Sequence, residues 1–272
     1  MFNFYLKKWL LIIIFLFMFM YQAAGEVFLL NEQLVQTLQG KLNQAKISKI
    51  IKAYVDWLEQ YYKKFGVQQD FIVWLQSKPE IRKSFWLALS PKRDNIYRSI
   101  KILDKLRKQY PKKIKKFYHL AIAIAVVWDT PKTIALSQNY TIWKINKEQF
   151  PKTIGYEKVF ELFTNPKFIN YFVFKPDNLV WPLLVHVVDF DISLAEFYWA
   201  LKNYRAKTKY LQQIYQEVEY DYVKVTSNYG KLGKRAYILP NILKYGGICG
   251  DRAHFASRIA KSFCVPSMKV FG

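Results

Sequence analysis

Cys249 is the residue whose neighbours most suggest chemistry. It stands in Tyr245-Gly246-Gly247-Ile248-Cys249-Gly250-Asp251-Arg252-Ala253-His254-Phe255-Ala256, where a glycine-rich approach joins a helical pattern. Ala253, Ala256, Ile259, Ala260 and Phe263 form the apolar face of that pattern. Glycines ahead of a helix let the backbone turn sharply and leave the first side chain accessible. A thiol in the first helical turn meets unpaired N–H groups and the positive end of the helix dipole, and both favour thiolate over thiol. A cysteine nucleophile needs such surroundings. The competing reading is a small buried cysteine filling a core. Cys264 is the other cysteine. A helix from Cys249 to Phe263 would hold the two Cα atoms about 20 Å apart, whereas a disulfide needs less than about 7 Å.

Other constellations are weaker. Glu217, Glu219 and Asp221 alternate, and a strand would put the three carboxylates on one face, as a paired-carboxylate hydrolase could use. A helix would instead stack Tyr210, Ile214, Val218 and Tyr222 as an apolar stripe and send Glu219 to the opposite side, leaving an exposed acidic patch. His119 and His186 read as core histidines, and His254 falls about 140° around the helix from Cys249. There is no GxSxG, HExxH or CxxC, and Gly230-Lys231-Leu232-Gly233-Lys234 lacks phosphate-loop spacing. Two cysteines and three histidines are too few for a disulfide framework or a Cys/His zinc module.

The elements that must position Cys249 read as helices. Ile47, Ile50, Ile51, Tyr54, Leu58, Tyr61, Tyr62 and Phe65 repeat at helical spacing, with Gly66 suited to a left-handed C′ position. Phe71, Trp74 and Leu75 mark a short helix stopped by Pro79. Asp94 is placed to cap a helix presenting Ile96, Ile100, Leu103 and Leu106, and Pro111 suits the first turn of the next. Leu120 to Trp128 is apolar all round, as in a helix surrounded by others. Ser193 and Glu196 have capping-box spacing before Phe197 to Tyr204.

Charge and targeting set the setting. The 272 residues carry 42 Lys+Arg against 20 Asp+Glu, a net charge of +22, with 52% apolar residues, which excludes a disordered chain. Lys101, Lys105, Arg107, Lys108, Lys112, Lys113, Lys115 and Lys116 crowd around one acid, Asp104. This is either a polyanion-binding patch or the solvated side of two helices packing Leu103, Ile114 and Phe117 inward. Lys7 and Lys8 precede thirteen apolar residues, Trp9 to Tyr21, followed by Ala23-Ala24-Gly25. That order describes a secretory signal peptide, or an uncleaved anchor if Ala23 to Val27 extend the apolar run. An exported protein has little access to nucleic acid, so anionic envelope polymer or lipid headgroups are the expected electrostatic partners.

Gly247-Ile248-Cys249-Gly250-Asp251-Arg252-Ala253, followed by Val265-Pro266-Ser267-Met268-Lys269-Val270-Phe271-Gly272, resembles the transglutaminase-like superfamily of papain-type cysteine folds. The family pattern has a Gly-x-Cys entry, a helix, then a Gly-Ile-Pro-Ala-Arg-x-Val-x-Gly turn and strand. This chain has Cys264 for the glycine, Val265 for the isoleucine, Ser267 for the alanine and Met268 for the arginine. The match covers roughly the last 35 residues. It implies Cys249 as nucleophile, a protein or peptide amide as substrate, and no metal or organic cofactor. It also implies a histidine base and an orienting aspartate on later strands, which the sequence does not reach by Gly272.

The expectation is therefore an α+β protein. Residues 1–25 are the signal peptide or anchor, and 26–205 a helical region. Residues 206–272 are the start of a transglutaminase-like domain, nucleophile helix and first strand, cut short. The whole protein would be a cysteine acyltransferase or amide hydrolase of the cell envelope, inactive in these 272 residues. The alternative is a non-catalytic basic helical envelope-binding protein.

Overall fold

Asn43 opens the first helix by accepting the Lys46 N–H at 2.9 Å, the usual service of an N-cap asparagine. A computed structural model describes residues 43–64, 66–90, 92–130, 152, 154–226 and 230–268, the side chains of 207 and 208 excepted. The chain divides into two compact units, 1–93 and 94–272.

The first unit holds α1 (Gln44–Lys63), α2 (Gln69–Gln76) and α3 (Pro79–Ala88). Ile50, Val55, Leu58 and Tyr62 bury one face of α1, and Tyr62 stacks on Trp86 of α3 at 5.4 Å. Gly66 takes a left-handed φ of 75° soon after α1, and Pro79 starts α3. Inside this apolar contact lies Glu59. It accepts from Arg82 Nε (2.6 Å), Gln76 Nε2 (2.9 Å) and Trp86 Nε1 (3.1 Å). Burial alone would raise its carboxyl pKa, but these donors and the Arg82 charge overcome that and hold it below the usual range.

The second unit is built around an apolar helix. It contains α4 (Ile96–Gln109), α5 (Pro111–Ile114), α6 (Tyr118–Val127), α7 (Tyr156–Phe163), α8 (Pro166–Ile169), α9 (Trp181–Val188) and α10 (Leu194–Tyr204). A run of 3₁₀ helix, Arg205–Gln213, leads to α11 (Ile214–Glu217), α12 (Tyr222–Thr226), α13 (Leu239–Tyr245) and α14 (Cys249–Ser262). Leu120 to Ala125 of α6 are inaccessible to solvent, because α4 and α9 pack against it. Each such Leu or Ile contributes about 1.5–3 kcal/mol by leaving water. Trp128 Nε1 donates to the Val188 carbonyl at 3.0 Å, pinning the end of α6 to the end of α9. Asn95, not Asp94, caps α4, accepting the Arg98 N–H at 3.1 Å. Either residue type can serve there, so the one-residue offset follows from where the backbone turns.

The α+β expectation is overturned. No strand occurs among the described residues, and the fold is mainly α. The nearest approach to a sheet is one isolated parallel bridge, Tyr220 to Gly247. Val265 to Met268, expected to begin a strand, is irregular. Pro266 has no N–H to give, and the Ser267 N–H goes to the His186 carbonyl of α9 at 3.2 Å rather than to a neighbouring strand. Lys269 to Gly272, and the expected signal peptide or anchor, lie outside the described residues. Among the described residues no helix is long and apolar enough to cross a membrane.

Candidate functional site

The entry to α14 is fixed by glycine and backbone pairing. Gly246 sits at φ 79°, and a Cβ there would lie 2.6 Å from the Glu219 carbonyl oxygen. Gly247 donates its N–H to that oxygen (3.0 Å) and accepts the Asp221 N–H (3.1 Å). A Cβ on Gly247 would fall 2.4 Å from Cβ of Asp251. Two residues on, Cys249 is the first residue of the fourteen-residue α14. Its thiol is free and exposed, and the unpaired amides of the first turn surround that end of the helix.

Beneath this turn lies a buried polar cluster. Asp251, 1% exposed, accepts the Ile248 N–H (2.9 Å), which is half of a capping box. It also accepts Lys224 Nζ at 2.8 Å and the Tyr237 hydroxyl at 2.9 Å. Lys224 and Tyr237 are as buried as their partner. Burial first, then the Asp251 charge, push the Tyr237 phenol well above its ordinary range, so it stays protonated and donating. Asp221 in turn accepts the N–H groups of Val223 (3.0 Å), Lys224 (3.3 Å) and Lys231 (2.6 Å). Gly230, at φ 58°, leaves room for it, since a Cβ there would come 2.3 Å from the Asp221 carboxylate.

The rest of α14 is held from several sides. Phe255 meets Tyr204 and Trp199 edge-on, with ring centres 5.9 and 6.3 Å apart. Buried Arg258 pairs with Asp191, and Lys261 Nζ donates to the Asp189 carbonyl at 2.8 Å. Glu196 closes the predicted capping box with Ser193 and also accepts the Leu239 N–H at 3.0 Å, tying α10 to the start of α13. Burial outweighs these donors and raises the Glu196 carboxyl pKa. The far end is a Schellman motif: Val265 N–H donates to Ala260 and Cys264 N–H to Lys261. Cys264 occupies the left-handed C′ position at φ 58°, where glycine is usual. It is buried, and burial, with the Asp177 charge, drives its thiol far above the usual range.

The other expected residues are dispersed. His254 is buried against the Tyr237 ring at 5.1 Å, while Cys249 faces outward. His186 lies on α9, whose carbonyl meets Ser267. Ser267 hydroxyl-bonds Ser257, two turns along α14 from the thiol. His119 opens α6. No hydrogen bond among the described residues joins any of the three to Cys249. The carboxylates Glu217, Glu219 and Asp221 share neither of the faces considered above. Glu217 accepts from the Tyr204 hydroxyl (2.8 Å), Glu219 pairs with Lys231 (2.9 Å), and Asp221 is buried. Ile214 and Val218 are buried, whereas Tyr210 and Tyr222 are exposed, so the helical stripe is broken.

Sequence reasoning does not single out Lys224 or Tyr237, and it places Asp221 in an exposed acidic patch, whereas Asp221 is 1% exposed. Lys224 and Asp251 are 27 positions apart, and only the tertiary fold joins them. Gly230 is the sequence signal for this cluster, because only a residue without a Cβ fits beside the Asp221 carboxylate.

No protein-family model matches the chain, and no curated protein or solved structure matches it.

Proposed function

We propose that Cys249 is the nucleophile of a cysteine acyltransferase or amide hydrolase acting on protein or peptide amides of the cell envelope, the chemistry that the transglutaminase-like resemblance implies. The observation that carries this reading is the exposed free thiol on the first residue of α14, at a turn held by two glycines and the Asp251 cluster. The sulfur attacks the amide carbonyl carbon, forming an S–C bond and an oxyanion beside the first-turn amides. Collapse breaks the C–N bond, the leaving amine takes a proton from water to balance the one the thiol gave up to solvent, and a thioester remains. Water or a second amine then releases the acyl group. Asp251 positions the turn, its buried oxygens taken up by the Ile248 N–H, Lys224 and Tyr237.

The test uses p-nitrophenyl acetate, whose activated ester needs no assisted leaving group. Turnover is not expected of these 272 residues, but a single acylation is: they should release p-nitrophenolate in one burst equal to the protein concentration, with the acetyl group on Cys249. Cys249→Ala should show no burst. An unmodified Cys249 would overturn the reading and leave the basic helical protein as the account.

A further inference from the structure

We propose that a groove along α4 binds a linear phosphate-bearing polyanion. The groove, about 690 Å³, is lined by Arg98, Lys101, Lys105 and Lys108, with Asp104 and Tyr156 beside them. Positions 98, 101, 105 and 108 advance by three, four and three residues, so the cations form one stripe about 15 Å long, a charge per turn. The opposite side of α4 is apolar, with Ile100, Leu103 and Leu106 buried. The stripe is therefore not needed to hold the helix in place.

The charge of the stripe is only partly answered. Lys108 pairs with Asp104 at 2.8 Å and Lys105 with Glu157 at 2.6 Å. Arg98 and Lys101 meet no carboxylate among the described residues, and Lys101 Nζ rests 4.2 Å from the centre of the Tyr97 ring. Arg98 offers the planar fork that grips a phosphate with two parallel hydrogen bonds. Beyond the groove the chain enters α5, where Lys112 is exposed, as is Lys115 just past its end.

The shape selects the ligand. Successive cations along one narrow strip suit a chain that presents successive anions. A bilayer presents its headgroups in two dimensions, whereas these cations stand in single file along one helix. A single small anion would engage only one turn of the stripe. This assignment is independent of the chemistry of Cys249.

The experiment titrates the full chain with fluorescently labelled inorganic polyphosphate at several salt concentrations. Four phosphate contacts predict a slope of log K against log salt near −3, at about −0.7 per contact on a single chain. Arg98→Gln with Lys101→Gln should weaken binding roughly tenfold and reduce the slope by about half. Lys167→Gln with Lys202→Gln removes the same charge from exposed helical positions elsewhere and should change binding by less than about twofold. Thermal melts of both pairs report folding. Equal losses in the two pairs, absence of binding, or tighter flotation with phosphatidylglycerol vesicles than binding to polyphosphate would each overturn the proposal.

Discussion

Gly247 has its Cα against the Asp251 side chain, with no space for a methyl group. Gly247→Ala should therefore destabilise the second unit by about 1–3 kcal/mol through overpacking, measured by denaturant titration. It should also change the alkylation rate of Cys249, because the added methyl displaces Asp251 from the Ile248 N–H. A variant with wild-type stability would show that the turn is looser than described. At this scale the sequence was legible where geometry is local. The glycine approach, the cysteine at a helix start and Asp251 at the third helical position all follow from short-range rules. Cys264 at a left-handed C′ position did not. Glycine is the usual signal for that site, and a buried thiol gives no sequence cue to positive φ.

Lys224 on α12 and Asp251 on α14 join two elements through one buried ion pair. Lys224→Met leaves a carboxylate uncompensated in the interior and should cost about 3–5 kcal/mol. Adding Asp251→Asn removes that charge and should restore part of the loss, its oxygen accepting the Ile248 N–H and its NH2 donating to the Tyr237 hydroxyl oxygen. A double variant less stable than Lys224→Met alone would refute a charge-based account. Helices with clear periodicity or caps were readable, as α6 and α10 illustrate. The expected strand after α14 was not found, because Pro266 and the Ser267 contact to α9 divert the backbone. The motif order that suggested a strand says nothing about whether a partner strand lies within reach.

For the molecule as a whole, the charge balance and helical content were accessible from composition and periodicity, whereas the buried polar clusters were not. Glu59 illustrates the consequence for acid stability. Its carboxyl pKa is depressed by Arg82, Gln76 and Trp86. Its contribution is therefore present above pH 4.5, the ordinary glutamate value, and is lost as pH falls through the lower folded value. Glu59→Gln should lower the stability of the first unit by about 2–3 kcal/mol at neutral pH and flatten its acid dependence. Thermal melts from pH 7 to pH 3 check this, and an unchanged acid slope would contradict it.

Whether Cys249 is an activated nucleophile is read from the iodoacetamide alkylation rate of each cysteine in the folded chain at pH 7, against glutathione. Cys249 should react several-fold faster than glutathione, while buried Cys264 stays unmodified until the protein unfolds. A Cys249 that reacts no faster than glutathione would contradict an activated thiol.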